Sequence, residues 1–428
     1  MDRMPVHERG HALLKLAIIN HGPTRRRALQ RGQSMVVFAM TSLILIGVVG
    51  LTVNTGWGTI QRETAQSTAD AVALGIAYGF NNGDNLNVAT HDYAGPIMQA
   101  NGLPMSDLTT KMITTATSVE IQATVLVGVT SFFSAAFGNK TFTSGATAEA
   151  PLTIQCGLCI DGTMTDNLSA TGNPSIDVSG TNIYTAGNLS VGGSAQVSAN
   201  NVFVSGSTTV SGTVIPSPPI TVPPFPNPVA EPPPPTCSTL AAEGVSDCPS
   251  VQSAGNPMFP GVYNNITLNG GAGDVTMEPG IYVITGNLKV SSTTDLTGSG
   301  VMLYFTCSSF PNPCPANSTG GSLTIEGSGN INLTPPTSGP YQGLLIYQDP
   351  NNSSPLYLTG GGDLSLTGTI YAPSATLQLQ GNSGATTSLN SIIDVGGVTA
   401  KGDGTINVSY NENANYVNGI TKSEWLYQ

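Results

Sequence analysis

The chain is poor in charged residues and, beyond its first quarter, in the side chains that most enzymes use. Only 9% of its 428 residues are charged, against roughly 25% in soluble globular domains. Arg62 is the last arginine and His91 the last histidine. A His-based catalytic triad or a His-ligated metal site is therefore excluded from the rest of the chain. The excess of acidic residues there also argues against nucleic-acid binding.

Carboxylates are the acid–base groups that remain in the C-terminal part. Glycosidases need a pair of them flanking the substrate, but here they are scattered, which favours solvated turn or edge residues. A polyuronate lyase would need cations for its substrate, and only Lys289, Lys401 and Lys422 are available. We predict no enzyme activity, no cofactor and no metal site. The scattered acids are Asp274, Glu278, Asp295, Glu326, Asp363 and Asp394.

The basic residues are concentrated before one long apolar run. Seven of the 13 lysines and arginines lie within residues 1–31, and no charged residue occurs between Arg31 and Arg62. Residues 35–53 are almost entirely apolar, and 19 helical residues span nearly 30 Å, about the thickness of the hydrocarbon core. Because basic flanks stay in the cytoplasm, we predict a single-pass protein of the cell membrane, with its N-terminus cytoplasmic and its C-terminal part periplasmic or extracellular.

Two other interpretations of the apolar run remain open. A cleaved secretory signal usually has a shorter apolar core, and no A-x-A site follows closely. A buried helix of a soluble protein is usually shorter and amphipathic. Anchoring in the lipid bilayer is therefore the favoured interpretation.

The helical pattern continues beyond the apolar run, through residues 59–80. Ala65, Ala69, Ala73 and Ala77 recur every four residues and form one face of small side chains. This face either packs against another helix or packs against the next domain of the same chain. Asn81 and the residues after it end the helix.

The six cysteines lie in three local pairs, all in the part predicted to be exported. Neighbouring cysteines in an oxidising compartment suggest short-loop disulfides, although six cysteines allow 15 connectivities. The C-G-L-C sequence at 156–159 could instead be a redox or zinc half-site, but a second ligand pair is missing. The pairs are Cys156 with Cys159, Cys237 with Cys248, and Cys307 with Cys314.

From residue 152 onward, short β-favouring stretches alternate apolar and polar residues between Gly or Asn turns. Repeated short strands without helices predict a parallel β-helix, a solenoid in which each coil buries one face against its neighbours. A β-sandwich is the alternative. The fold class is thus mainly β, with an N-terminal transmembrane helix that extends into a helical stalk.

A segment with 11 prolines in residues 216–235 interrupts these strands. Such a composition predicts an extended polyproline spacer. The predicted domains are 1–31, a cytoplasmic basic leader; 32–80, the transmembrane helix and stalk; 81–151, a small α+β unit; 152–215, the first part of the solenoid; 216–257, a proline-rich linker or insertion; and 258–428, the second part of the solenoid.

Two N-terminal motifs resemble a known family. Residues 31–40 read RGQSMVVFAM, and residues 66–74, after the apolar run, read QSTADAVAL. The combination resembles the TadE/TadG-like family of Flp (tight-adherence) pilus-assembly proteins, which read R-G-Q-x-x-V-E-F-A and then N/S-x-A-D-A-A-A-L-A. The Gly/Asn-punctuated strands after Cys156 look like the β-rich ectodomain of larger TadG-like proteins.

The resemblance implies a role and a processing site. It implies a non-enzymatic bacterial envelope protein that takes part in assembling or anchoring Flp pili or in surface adhesion, with other Tad proteins or cell-wall glycans as partners. It also implies prepilin-peptidase cleavage between Gly32 and Gln33. The glutamate that the family carries five places after the cut is Val37 here, which disfavours polymerisation as a main pilus subunit and favours an anchor or minor component.

A function of a different class is a secreted or surface solenoid that binds or cleaves glycans. Aromatic side chains can stack on sugar rings, although tyrosines in strands more often serve packing. Six tyrosines of the β-rich part are the candidates for such stacking: Tyr263, Tyr282, Tyr304, Tyr347, Tyr357 and Tyr371.

Overall fold

The computed structural model describes residues 30–81, 84, 86–114, 119–130, 141–152, 156–161, 168–225, 227, 229–270, 273–381 and 386–416. The chain divides into two units, Met1–Ile60 with Val129–Phe142 and Gln61–Gly128 with Thr143–Gln428. The structure is mainly β, with parallel sheets and one long N-terminal apolar helix. The predicted basic leader, up to residue 29, lies outside the described residues.

One helix, α1, runs from Gln30 to Asn81 without a break. Threonine hydroxyls along its apolar part bond to carbonyls one turn back, as Thr41 does to Val37 at 2.8 Å and Thr55 to Leu51 at 2.7 Å. These bonds satisfy the polar groups within the helix, so that an apolar surface is left outside. The helix ends at Asn81, where the sequence predicts its end.

The small-residue face of α1 lies in the second unit and packs against other residues of that unit. Ala65, Ala69 and Ala73 are fully buried, in one apolar cluster with Val125 and Phe203. The ring of Phe80 adds a contact, with its centroid 5.4 Å from that of Phe203. Of the two interpretations of this face, packing on the same chain is therefore the correct one.

A small α+β region follows. Short helices α2 (Leu86–Ala89) and α3 (Gly95–Ala100) flank one π-helical turn, Thr90–Ala94, and a 3-10 turn covers Met105–Asp107. Three strands form one sheet in the order β1-β2-β3, with β1 antiparallel to β2. Their bounds are β1 Leu108–Thr114, β2 Val119–Thr130 and β3 Thr141–Leu152.

The remaining strands pair in parallel and form three rows, each a series of strands that lie side by side. Along the chain, successive strands belong to the three rows in a repeating order. The first and second rows belong to one sheet of 18 strands, and the third row is a sheet of nine. The first row holds β4 Cys156–Ile160, β7 Asn182–Thr185, β10 Val202–Val204, β13 Ile220–Thr221, β14 Val251–Gln252, β15 Gly261–Tyr263, β18 Gly280–Ile284, β21 Val301–Phe305 and β24 Leu344–Gln348.

The other two rows repeat the same progression. The second row holds β5 Leu168–Gly172, β8 Leu189–Val191, β11 Thr208–Val210, β16 Ile266–Leu268, β19 Asn287–Val290, β22 Ser322–Ile325 and β25 Leu356–Gly360. Two long strands, β27 Thr369–Gly381 and β29 Ile393–Gly402, pass through both rows. The third row holds β6 Ser175–Ser179, β9 Gln196–Ser198, β12 Thr213–Ile215, β17 Val275–Met277, β20 Leu296–Gly298, β23 Ile331–Leu333, β26 Leu364–Thr367, β28 Thr386–Asn390 and β30 Thr405–Ser409.

The last strands of the chain pair with the first strands of the rows. Ile393 of β29 is in register with Leu158 of β4, and Val408 of β30 with Val178 of β6. The two stretches that the sequence divides at 216–257 therefore share their sheets. In the first row the order runs from β15 through β29 to β4 and on to β10.

Most strands of the first row are buried on both faces, whereas β13 and β14 are partly exposed. One face contributes Leu158, Ile183 and Leu303 to the central core, and the other contributes Tyr184 and Tyr304 to the cluster that also contains the small-residue face of α1. This explains why strands such as β18, β21 and β24 are buried at every residue rather than at alternate ones.

The proline-rich segment, 216–257, contributes to that second cluster. A spacer would leave its side chains in solvent, but Val222, Phe225 and Val229 are buried against the first row. The backbone N–H of Phe225 donates to the Tyr184 hydroxyl at 2.8 Å. Helix α4, Cys237–Ala242, follows and begins with a capping box at Thr236. The segment therefore contributes β13 and β14 to the first row and also packs over that row.

Glycines line the corner that follows the second row. Gly402 is in register with Gly172 and with Gly381. At Gly327 the backbone φ is +121°, and an added Cβ would overlap the Ser292 carbonyl oxygen. Only glycine allows neighbouring layers to approach this closely at the corner.

Candidate functional site

The first part of α1 presents an exposed apolar surface. Over an 18-residue window the mean hydropathy is 2.5, with only 6% of that window buried, and among the described residues this is the one helix long and apolar enough to cross a membrane. By length and composition it can be a membrane span or a signal sequence. Its exposed apolar side chains include Met35, Val36, Val37, Phe38, Met40, Leu43, Ile44, Leu45, Ile46, Val48, Val49, Leu51 and Val53.

The residues of the predicted cleavage site lie at the start of this helix. Gly32 and Gln33 belong to the first turn of α1. Val37, which stands where the family carries glutamate, exposes 60% of its surface among other apolar side chains. The position therefore adds to the apolar surface and provides no carboxylate.

The six cysteines form three disulfides between neighbours in sequence. Cys156–Cys159 lies within β4, Cys237–Cys248 closes the turn after α4, and Cys307–Cys314 closes a loop after β21. The carboxylate of Asp349 supports the last loop, because it accepts the backbone N–H of Cys314 at 3.0 Å. These disulfides fasten local loops and leave no free thiol among the described residues.

Five of the six candidate tyrosines for sugar stacking are buried. The Tyr282 hydroxyl, for example, donates to the Met258 carbonyl inside the protein at 2.8 Å. Tyr357, in the second row, is the exception and is partly exposed. The prediction that the other five tyrosines stack on sugar rings at the surface is therefore wrong. The buried five are Tyr263, Tyr282, Tyr304, Tyr347 and Tyr371.

An open groove of about 510 Å³ is lined in part by Thr359 of β25, two residues along the strand from Tyr357. The two side chains therefore share one face of the strand. Glu326 also lines it and forms an ion pair with Lys289 at 2.8 Å. The lining is polar and rich in glycine: Ser292, Thr293, Glu326, Gly327, Ser328, Thr359, Gly360, Gly361 and Gln380.

Two carboxyl groups are buried together beneath the proline-rich segment. Asp394, on β29, is 0% exposed and is in register with Cys159 of β4. Asp161 follows β4 directly, and its backbone N–H bonds to the carbonyl of Val395 at 3.1 Å. One carboxyl therefore stands on β29 and the other directly after the adjacent strand β4. The expectation that Asp394 is a solvated turn residue is wrong, because β29 carries it into the covered face of the first row.

The surroundings of this pair disfavour negative charge. Asn227 of the proline-rich segment donates to one oxygen of Asp394 at 2.9 Å. Within the described residues the other Asp394 oxygen and both Asp161 oxygens have no hydrogen-bond partner and are shielded from solvent. Burial raises the pKa of Asp161 to about 7, and burial together with the nearby Asp161 charge raises the pKa of Asp394 well above its usual range.

The carboxyl pair is thus a protonatable cluster. No group of three His, Cys, Asp or Glu side chains that could hold a metal occurs in the described part of the chain. Tyr371 and Tyr184 add rings to the site, and burial raises the pKa of both hydroxyls.

Comparison with known proteins adds no relative: no family model, no curated protein and no solved structure matches this chain.

The sequence interpretation also missed two features of the sites. Asp161 and Asn227 are brought to Asp394 by pairings across 233 and 167 residues, and the groove is built by stacking of separate turns. In the sequence, only the repeated Gly-rich turns after the second row could have indicated the groove.

Proposed function

We propose that this chain is a non-enzymatic, membrane-anchored protein of the bacterial cell envelope, of TadG-like type. Residues 1–31 lie in the cytoplasm, α1 crosses the cell membrane, and the β-rich part lies on the periplasmic or extracellular side. The observation that carries the proposal is the change in burial along α1. Side chains at 35–53 are apolar and exposed, whereas Ala65, Ala69 and Ala73 are buried in the second unit.

A contiguous apolar surface of this length needs an apolar surrounding. Monomeric soluble proteins rarely expose patches beyond a few hundred Å², and the hydrocarbon core requires about 20 apolar helical residues. The continuity of α1 supports a retained span over a removed signal. Cleavage just beyond the apolar run would cut within a helix whose next turns, from Ala65 onward, belong to the folded core.

We further propose that the three rows are the three faces of a parallel β-helix. The rows support this because their strands pair in parallel, in places with a constant spacing: Val262, Val283 and Tyr304 are successive partners in the first row, 21 residues apart. Ile176 and Val197 in the third row show the same spacing. Strands of immunoglobulin-type sandwiches pair antiparallel, so this pattern disfavours the alternative architecture.

The envelope role of the anchored protein is assembly or anchoring of Flp pili, or surface adhesion. Its partners are the lipid bilayer, other Tad proteins and cell-wall glycans. The resemblance at residues 31–40 and 66–74 supports this role, and Val37 supports an anchor or minor component over a main pilus subunit. The lack of histidine after His91 and arginine after Arg62 supports a role without catalysis.

Site-specific labelling tests the orientation. Thr297, an exposed residue of the third row, is changed to cysteine in one variant, and Thr24 of the basic leader in another. In intact spheroplasts a membrane-impermeant maleimide should label the Thr297→Cys protein and should label the Thr24→Cys protein only after lysis. The reverse pattern would contradict the cytoplasmic N-terminus.

A second candidate function is glycan binding or cleavage by a secreted or surface-exposed β-helix. The partial exposure of Tyr357 beside the polar groove favours it. A glycan array and a turnover assay on the purified chain test this function directly. Saturable glycan binding without cleavage would show that the chain binds glycans and does not cleave them.

A further inference from the structure

We infer that the groove beside Tyr357 is a binding site for a neutral oligosaccharide. The inference depends on the second candidate function and is independent of membrane anchoring.

The groove crosses several layers of the stacked strands. Its lining residues come from the turns after β19, β22 and β25 and from the ends of β25 and β27, and these four strands pair consecutively. With about 4.8 Å between strands, four layers span about 14 Å. A volume of about 510 Å³ lies within the 300–1,000 Å³ range of ligand pockets. The groove is therefore elongated and suits a chain-like ligand.

The polar lining can exchange hydrogen bonds with sugar hydroxyls. Ser292, Thr293 and Ser328 contribute exposed hydroxyls, and Gln380 contributes an exposed carboxamide. Hydroxyl and carboxamide groups both donate and accept, which matches the alternating donors and acceptors of a sugar. Thr359 is oriented by its own bond to the Ile325 carbonyl at 3.1 Å.

The glycines keep the groove open. Gly327, Gly360 and Gly361 contribute no side chain to the lining. At Gly327, with its φ of +121°, a larger residue would also be strained. The same backbone requirement that allows the layers to stack leaves main-chain surface accessible to a ligand.

Tyr357 supplies the aromatic surface beside this polar floor. Its neighbours in register are Thr324 on β22 and Gln378 on β27, so its ring stands on the outer face among polar side chains. Aromatic rings provide flat apolar area with a polar tip, which suits the apolar face of a pyranose. The other tyrosines of the three rows named above are buried, which makes Tyr357 the aromatic anchor of this surface.

The charge balance selects a neutral ligand. Glu326 is the one charged residue among those that line the groove, and Lys289 neutralises it through the ion pair at 2.8 Å. An acidic polysaccharide would meet the Glu326 carboxylate with no further cation lining the groove. A neutral hexose or N-acetylhexosamine chain meets no such repulsion.

Calorimetric titration of the full chain tests the inference, in a detergent without a sugar headgroup. The probes are chitohexaose and cellohexaose, with hexagalacturonate as the acidic comparison. At least one neutral hexasaccharide should bind saturably, and more tightly than hexagalacturonate. Tyr357→Ala should raise the Kd about tenfold, whereas Tyr357→Phe should change it by less than about threefold because the stacking ring is retained.

Phe259→Ala is the matched control, since Phe259 is an aromatic side chain 58% exposed outside the groove. It should leave the Kd unchanged, and unchanged melting temperatures should show that all three variants fold. Tighter binding of hexagalacturonate, or no effect of Tyr357→Ala, would overturn the groove assignment. The absence of any saturable binding would overturn glycan binding as well, while leaving the labelling test of the membrane anchor unaffected.

Discussion

Asp161 and Asp394 stand where a carboxyl group is least stable in its charged form. Asn227 of the proline-rich segment bonds to Asp394, and three of the four carboxylate oxygens of the pair have no hydrogen-bond partner within the described residues. Burying an unpaired carboxylate costs several kcal/mol unless it takes up a proton. The folded protein therefore favours the protonated form of these groups, and its stability depends on pH.

Asp161→Asn should reduce this pH dependence. The pKa of Asp161 is raised from 3.8 to about 7, so between these values the folded state binds more protons than the unfolded state. The free energy of unfolding of the wild type should therefore fall as pH rises from about 4 to 7. Because the amide does not ionise, the variant should be the more stable protein at pH 8, by on the order of 1–4 kcal/mol.

Urea unfolding at pH 4.5 and pH 8 measures this difference. Asp363→Asn, at an exposed carboxyl of the same part of the chain, is the matched control and should follow the wild type at both pH values. Equal pH dependence in the wild type and Asp161→Asn would show that Asp161 is ionised in the folded protein.

For single residues, sequence patterns predict local features such as disulfides better than they predict which side chains are buried. The neighbouring cysteine pairs are visible in the sequence, and the disulfides join these neighbours. The burial of Tyr304 and Asp394 is not visible, because it depends on which segment covers the outer face of their strands. Alternation identifies the face toward the central core, but a cover contributed by residues far along the chain leaves no periodic signal.

Among the elements, the proline-rich segment has the role that the sequence least suggests. Phe225 inserts between two aromatic residues, with ring centroids 6.1 Å from both Tyr184 and Phe80. Asn227 then bonds to Asp394. Extended proline-rich backbone has few internal hydrogen bonds, so side chains such as these, together with the pairing of Ile220–Thr221 with β10, fix the segment to the sheet.

Phe225→Ala should destabilise the fold by about 3–5 kcal/mol, since a largely buried aromatic ring is removed and a cavity remains. Thermal unfolding measures the loss. Pro233→Ala changes an exposed residue of the same segment and should cost less than about 1 kcal/mol. If both variants melt like the wild type, the segment does not stabilise the sheet.

The type of most elements follows from local pattern. The uninterrupted run up to Asn81 predicts α1, and short apolar bursts between glycines predict the strands. The proline content indicates an extended segment, but Ile220–Thr221 within it joins the first row beside β10, and its packing depends on apolar residues between the prolines, such as Val222 and Val229. Their partners lie on strands elsewhere in the chain.

For the whole molecule, the joining of the last strands to the first is the central topological feature. Ser409 of β30 faces Ser179 of β6, with their hydroxyl oxygens 3.4 Å apart. The rows are thereby continuous across strands that are 230 residues apart in sequence. The sequence predicts repeated parallel strands, but the register between distant strands depends on long-range packing.

A cysteine pair tests this arrangement. Ser179→Cys combined with Ser409→Cys should form a disulfide on mild oxidation, because neighbouring parallel strands place their Cα atoms within the bridging range. Asn390 pairs with Ser409 on the far side from Ser179. Ser179→Cys combined with Asn390→Cys, two strand spacings apart, should stay reduced. Non-reducing peptide mapping distinguishes the pairs, and cross-linking only in the second pair would contradict the register.

The central claim is that α1 anchors the mature protein in the cell membrane. The measurement that tests it most directly is the intact mass, with N-terminal sequencing, of the protein purified from membranes of its native host. The account predicts a chain that retains residues 35–57, beginning either before Gly32 or, after prepilin-peptidase cleavage, at Gln33. A mature chain that begins beyond Trp57 would contradict it, because the apolar helix would then be a removed signal and the protein a secreted one.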